Sequence, residues 1–440
     1  MSGETIFAIA SGTSRAAIAV LRLSGPATRL IVKAMVRKLP EARAATLATF
    51  IDPASGEAID KGLVIFFPGP HSFTGEDSAE FHIHGGRAVV ARLIEVIGGF
   101  PEARPAEPGE FTRRALLNGK MDLAEVEGLA DLVEAETEWQ RRQALRQLEG
   151  RLSRQAEAWR SALLEAAALV EAEIDFSDEP DVPASTSRRI GEILKPVLEA
   201  LRAELSAGRA GERIREGLVV VIAGPPNAGK STLLNALARR EVAIVSAEAG
   251  TTRDLIEVHL DLGGCPVTLI DTAGLRESVD AVEKIGVARA LERAKAADLV
   301  LWLSEASEPS DVARGVEGSE IWPIFSKCDL AHGRDQGRPA ALHISAETGQ
   351  NIDLLIGRIT DFARAASGDG YAGLITKERH RKAFEAAAES LTRILTNLDA
   401  PVELIGEDLR TASFALQRIT GSIGVEDILS EIFSRFCIGK

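Results

Sequence analysis

Residues 224 to 231 read Gly-Pro-Pro-Asn-Ala-Gly-Lys-Ser, a complete G-x-x-x-x-G-K-[ST] phosphate loop, and no other feature restricts the fold as much. Before it runs Leu218 to Ala223, a short apolar stretch of strand type. After it runs Thr232 to Ala238, a helix former with Leu233, Leu234 and Leu237 on one face. Strand, loop and helix in this order specify an α/β nucleotide-binding core. The loop amides of Asn227, Ala228 and Gly229, with the helix N-terminus at Lys230, Ser231 and Thr232, suit a triphosphate. Lys230 neutralises the outer phosphates, and the Ser231 hydroxyl is a ligand for Mg²⁺.

Downstream spacing selects the nucleotide. Gly250-Thr-Thr-Arg-Asp254 precedes an alternating strand from Ile256 to Leu262. Gly263 and Gly264 turn that strand back into a second one, which ends at Asp271, Thr272, Ala273 and Gly274. Asp271 is placed to reach the Mg²⁺ shell, Gly274 to meet the γ-phosphate, and Thr252 to close over the metal. Two further apolar strands end in Ser326-Lys-Cys-Asp329 and in Ser345-Ala346. The carboxylate of Asp329 accepts from the two guanine donors that adenine lacks, with Lys327 beside it. The ordered set resembles the Ras-type GTPase signature. It departs in two places: Ser326 stands where Asn is usual, which predicts looser retention of GTP, and Leu275 stands where many GTPases carry a water-orienting Gln. Leu275 leaves two readings open, a binding switch or catalysis through another group.

Composition narrows the class. The chain of 440 residues is 45% apolar, enough for packed cores in two to four domains, and its three cysteines are too scattered for a disulfide framework. A reducing, cytoplasmic setting is expected. No apolar run approaches the roughly 18 residues of a membrane span. The stretch from Thr5 to Pro40 lacks acidic residues, as transit peptides do. A formal net charge of −14 disfavours unaided gripping of nucleic acid.

Motifs along the rest of the chain carry a more specific resemblance. Leu-Arg-Leu-Ser-Gly (21 to 25), Thr-Gly-Glu-Asp (74 to 77), Pro-Gly-Glu-Phe-Thr-Arg-Arg-Ala-Leu-Leu-Asn-Gly-Lys-Met-Asp-Leu (108 to 123), Ile-Asp-Phe-Ser-Asp-Glu (174 to 179) and the terminal Phe-Cys-Ile-Gly-Lys (436 to 440) resemble the tRNA modification GTPase family MnmE, or TrmE, over essentially the whole length. The resemblance implies a multidomain architecture: an α+β folate-binding and dimerisation domain (1–119), and an α-helical domain (120–212 and 371–440) interrupted by an α/β Ras-like GTPase domain (213–370). It implies a folded strand from Thr5 to Ala10 in place of a transit peptide. It implies a homodimer that works with an FAD-dependent partner of the MnmG (GidA) family on C5 of wobble uridine in certain tRNAs. It further implies K⁺ held by Asn227, Ser246, Glu248 and Thr251 within the nucleotide-binding segment Ser246, Ala247, Glu248, Ala249, Gly250, Thr251. Glu283 would orient water, and Arg22, Glu80, Lys120 and Lys440 would bind a one-carbon tetrahydrofolate, in the 5-formyl or 5,10-methylene form. The rival readings are a ribosome-assembly GTPase switch and a folate-dependent one-carbon transferase regulated by GTP.

Two side-chain groups have blander readings. Glu80, His82 and His84 share one strand face, but with no third or fourth ligand placed near them a polar pocket is favoured over a metal. Cys437 has no His nearby in sequence, so a packed or pocket-lining role is favoured over a nucleophilic one.

Overall fold

The computed structural model describes residues 3–12, 16–175, 183–207, 209–240, 242–244, 257–271, 297–306, 320–330, 342–370, 373–421 and 439. The chain divides into two compact units, Met1–Ala130 with Gln417–Lys440, and Asp131–Leu416.

The first unit is built on a six-stranded sheet. Its strands are β1 (Thr5–Ile9), β2 (Ile18–Ser24), β3 (Thr46–Ile51), β4 (Ala58–Phe67), β5 (Ser78–His84) and β6 (Ala103–Pro105), in the order β3-β4-β5-β2-β1-β6. Strict alternation sorts the two faces. Leu21, Leu23, Val64, Phe66, Phe81 and Ile83 are buried under helices α1 (Thr28–Val36) and α2 (Arg87–Gly98), with Phe50 and Phe81 in ring contact at 4.9 Å. Truncating a ring so enclosed costs about 3–5 kcal/mol. The opposite face carries the intervening residues, Arg22, Glu80 and His82 among them. It is covered in part by Phe111 of α3 (Glu110–Leu117), which packs on Ile6 and Ala8. Helix α4 (Leu123–Glu134) follows.

In the second unit, helices α5 (Glu138–Leu148), α6 (Arg151–Asp175), α7 (Pro183–Ser206) and α8 (Ala210–Glu216) precede the phosphate-loop segment. Trp159 of α6 meets Phe384 edge-on, with ring centres 5.2 Å apart. The sheet that carries the phosphate loop has the order β12-β11-β10-β7-β9-β8. Its strands are β7 (Leu218–Ala223), β8 (Glu257–Leu262), β9 (Cys265–Asp271), β10 (Leu299–Glu305), β11 (Glu320–Ser326) and β12 (Leu342–His343). All its pairings are parallel except the β8–β9 hairpin. Helix α9 (Lys230–Ala238) follows the phosphate loop, and α10 (Ile352–Ala366) buries Leu355 and Ile359 on the same core. Helices α11 (Glu378–Thr396) and α12 (Val402–Thr420) complete the order. Cys437 lies outside the described residues.

Candidate active site

The phosphate loop leaves β7 through Gly224, whose φ is +146° and whose Cα faces the Leu303 carbonyl so closely that no side chain fits. Asn227 and Gly229 are also left-handed, at φ 63° and 86°, which curls the loop amides inward before α9 begins. Lys230 is buried and donates from Nζ to the carbonyl oxygens of Gly224 (3.1 Å) and Pro225 (2.8 Å). The Ser231 hydroxyl donates to Oδ2 of Asp271 at 2.6 Å, so the two residues read as Mg²⁺-facing lie side by side at the ends of α9's first turn and β9. That adjacency is the geometry a hydroxyl and a carboxylate need to share one hydrated Mg²⁺ shell.

The loop expected to read the base is fastened to the phosphate loop. Ser326, at the end of β11, is 5% exposed, and its hydroxyl donates to the Ala228 carbonyl at 2.7 Å, with the Ser304 carbonyl at 3.2 Å. Lys327 follows at φ 55° and pairs with Glu305, Asp329 is exposed, and the Cys328 amide donates to the Ile344 carbonyl at 3.2 Å. Ser345 is buried, with its hydroxyl accepting from the Thr348 amide, and Ala346 is half-buried. Asn227, Ser231 and Thr232 are exposed. Nothing in the sequence marks Ser304 and Glu305, because their role depends on the β10–β11 register that sets Glu305 beside Ser326. Ser246, Ala247, Glu248, Ala249, Gly250, Thr251, Thr252, Thr272, Ala273, Gly274 and Glu283 lie outside the described residues.

The first unit holds the second group of candidates. Arg22 and Glu80 are register partners on β2 and β5 and form an ion pair at 2.9 Å, while His82 Nε2 lies 3.4 Å from the other Glu80 oxygen. The Arg22 guanidinium sits 5.6 Å from the Phe73 ring centre and 5.8 Å from that of Phe111. An aromatic-walled, charge-paired face of this kind fits a flat heterocycle with a carboxylate tail. Glu80 is already engaged by Arg22, so a ligand donor has to share it. Exposed Lys120 lays its stem near Gly75, which is two residues from Phe73. Gly439 rests against the Ile9 carbonyl at φ +103°, where a side chain would collide; Lys440 lies outside the described residues. His84 is turned to Asp60 at 2.8 Å, apart from the Arg22–Glu80–His82 set, and no group of three or more metal-type side chains occurs among the described residues.

A phosphate loop between β7 and α9, with the Ser231–Asp271 pair beside it and Ser326 tying the end of β11 to it, defines a GTPase of the phosphate-loop class. The particular family follows from comparison. The family model described as "MnmE helical domain" matches residues 123–437, and "GTP-binding protein TrmE N-terminus" matches residues 5–120. The tRNA modification GTPase MnmE of Beijerinckia indica is 62% identical over 99% of this chain and 96% of its own length; that of Bradyrhizobium sp. is 52% identical over 99% of each. This chain belongs to the MnmE family of tRNA modification GTPases, and it is a GTP hydrolase acting in tRNA modification. Among solved structures, the G domain of the T. maritima FeoB iron transporter is similar at 25% identity over 33% of this chain and 98% of that one, with a TM-score of 0.23.

Proposed function

We propose that this GTPase is activated by K⁺ and works with an FAD-dependent partner to modify C5 of wobble uridine in certain tRNAs, adding an aminomethyl-type group. The observation that supports the hydrolytic half best is the Ser231–Asp271 hydrogen bond at 2.6 Å, next to a Lys230 whose Nζ lies on the Gly224 and Pro225 carbonyls of the phosphate loop. Lys230 would leave the Gly224 and Pro225 carbonyls for the β- and γ-phosphates, and Ser231 with Thr252 would hold Mg²⁺. Bound K⁺ supplies positive charge where charge develops on the phosphates, the task of an arginine finger elsewhere. Asn227 would be its side-chain ligand, with Ser246, Glu248 and Thr251 as the others and Glu283 orienting water. Asn227 is exposed in the loop, in a left-handed conformation at φ 63°.

Arg22 and Glu80 of the domain 1–119, with Lys120 just after it and Lys440, would hold a one-carbon tetrahydrofolate. Pterin donors would meet Glu80, and the basic groups would meet carboxylates. The same domain would form the homodimer, the helical segments 120–212 and 371–440 would carry the GTPase segment 213–370, and the flavin would belong to the partner. No helix among the described residues is long and apolar enough to cross a membrane, and we place the protein in the cytoplasm.

The deciding experiment is Mg²⁺-dependent GTP hydrolysis in KCl and in NaCl at matched ionic strength, for the full chain and Asn227→Ala. The expected result is strong K⁺ stimulation that the substitution abolishes. Equal rates in the two salts would remove the catalytic cation while leaving the GTPase.

A further inference from the structure

Helix α5 grips the GTPase sheet at the end far from the nucleotide. Its start is fixed by a capping box, in which the Thr137 hydroxyl accepts from the Gln140 amide and the Gln140 side chain accepts from the Thr137 amide. Trp139, inside that first turn, donates its backbone N–H to the Gly264 carbonyl at 3.2 Å. Its indole fills the notch between two left-handed glycines. A methyl group added at Gly264 would come within 2.8 Å of the indole Cδ1 and 2.9 Å of Nε1, and one added at Gly370 within 2.9 Å of Cε2. Gly264, at φ +93°, is the turn of the β8–β9 hairpin, and Gly370, at φ +78°, closes the exit from α10. One flat ring therefore touches both the hairpin and the end of the GTPase segment. Two more α5 side chains hold the entry: Gln140 donates to the Arg215 carbonyl and Gln143 to that of Gly211, both on α8, which leads into β7.

The hairpin is a stiff lever. β9 is buried at every residue from Cys265 to Asp271 and is paired on both sides, with β7 and β8. At about 3.3 Å per residue it carries the Gly264 turn about 20 Å from Asp271. A displacement at the Asp271 end cannot be absorbed inside a ladder so completely paired, and it reaches the turn where the indole sits.

We propose that Trp139 is the joint that makes helix α5 follow the β8–β9 hairpin, so that the helical part of the molecule senses whether di- or triphosphate is bound. This rests on reading Asp271 as a nucleotide-site residue. The ring's flatness is what the notch requires, and its contact with two glycines explains why neither position accepts a side chain.

The test labels the full chain with 5-fluorotryptophan, assigns the Trp139 ¹⁹F resonance by its loss in Trp139→Phe, and compares the Mg²⁺ complexes of GDP and a non-hydrolysable GTP analogue. Hydrogen exchange of the 138–148 amides is followed in parallel, in the native chain, Trp139→Phe and Trp139→Ala. The expected result is a resonance that differs between the complexes, and α5 exchange rates that differ at least about threefold in the native chain and not in Trp139→Ala. If the Trp139→Ala substitution prevents folding, the Phe variant, smaller by one ring, is expected to show a reduced difference. A Trp139 resonance identical in both complexes, or an α5 response unchanged by the substitutions, overturns the joint while leaving the site reading intact. Nucleotide binding itself is checked by calorimetry with Asp271→Asn; Mg²⁺-dependent affinity untouched by that change overturns the site reading and the joint with it.

Discussion

Ser326, a departure from the usual motif, makes a structural tie of its own. A hydroxyl in place of an amide predicts looser retention of GTP. The hydroxyl nevertheless bridges the base loop to the phosphate loop through the Ala228 carbonyl at 2.7 Å, inside a pocket that leaves the residue 5% exposed. A buried neutral hydrogen bond is worth about 1 kcal/mol, and removing its donor strands the Ala228 acceptor. Ser326→Ala is expected to raise the Kd of GTP and of GDP alike, by about fivefold, because the lost tie is to the loop and not to the base. Asp329→Asn is expected to act on the base itself, moving preference from GTP toward xanthosine triphosphate. Titrations with fluorescent analogues of the three nucleotides separate the two effects; equal affinities for Ser326→Ala and the native chain would reduce the hydrogen bond to packing.

At the level of elements, the motifs that carry the family resemblance are largely braces. The Ser24 hydroxyl donates to Glu76 at 2.8 Å and lies 2.6 Å from that of Thr74. Arg114 of α3 reaches both Glu76 and Glu110 at 3.0 Å, and Arg104 of β6 pairs with Glu110 at 2.6 Å. Burial would push the Glu110 carboxyl up, but hydrogen bonds from Arg104, the Glu107 amide and Arg114 outweigh it and hold the group at about 2, against an ordinary 4.5. A carboxyl lowered on folding stabilises the fold above its unfolded pKa and loses that contribution as pH falls through the folded one. The Tm of the native chain is thus expected to fall between pH 4.5 and 2 more steeply than that of Glu110→Gln. Parallel melting profiles would show that the brace carries no net charge energy. The strands and helices themselves are legible from period and punctuation, as in the phosphate loop with its flanking β7 and α9, or the alternation that puts Arg22 and Glu80 on one side of β2 and β5. What pairs across the sheet is not legible: the partnership of Glu305 with Lys327, and the seat of Trp139 between glycines distant in the chain, depend on register and on chain closure. No local pattern encodes those.

For the molecule as a whole, charge decides how it can meet its substrate. A chain at −14 repels the tRNA backbone at long range, and any attraction has to come from local basic groups. Among the described residues many Arg side chains are spent on intramolecular pairs, such as Arg141 and Arg142 on Glu138 or Arg393 on Asp408, which lowers their reach toward phosphate. If the proposed FAD-dependent partner supplies the basic surface, filter binding of tRNA to this protein alone at about 150 mM salt, where screening acts within about 8 Å, should be weak. Adding the partner should raise retention by at least about tenfold. The gain should show the steep salt dependence of phosphate contacts, since each released counterion contributes to the slope. Tight tRNA binding by this chain alone, with a similar slope, would instead locate a basic patch on the protein itself and remove the partner from the recognition step.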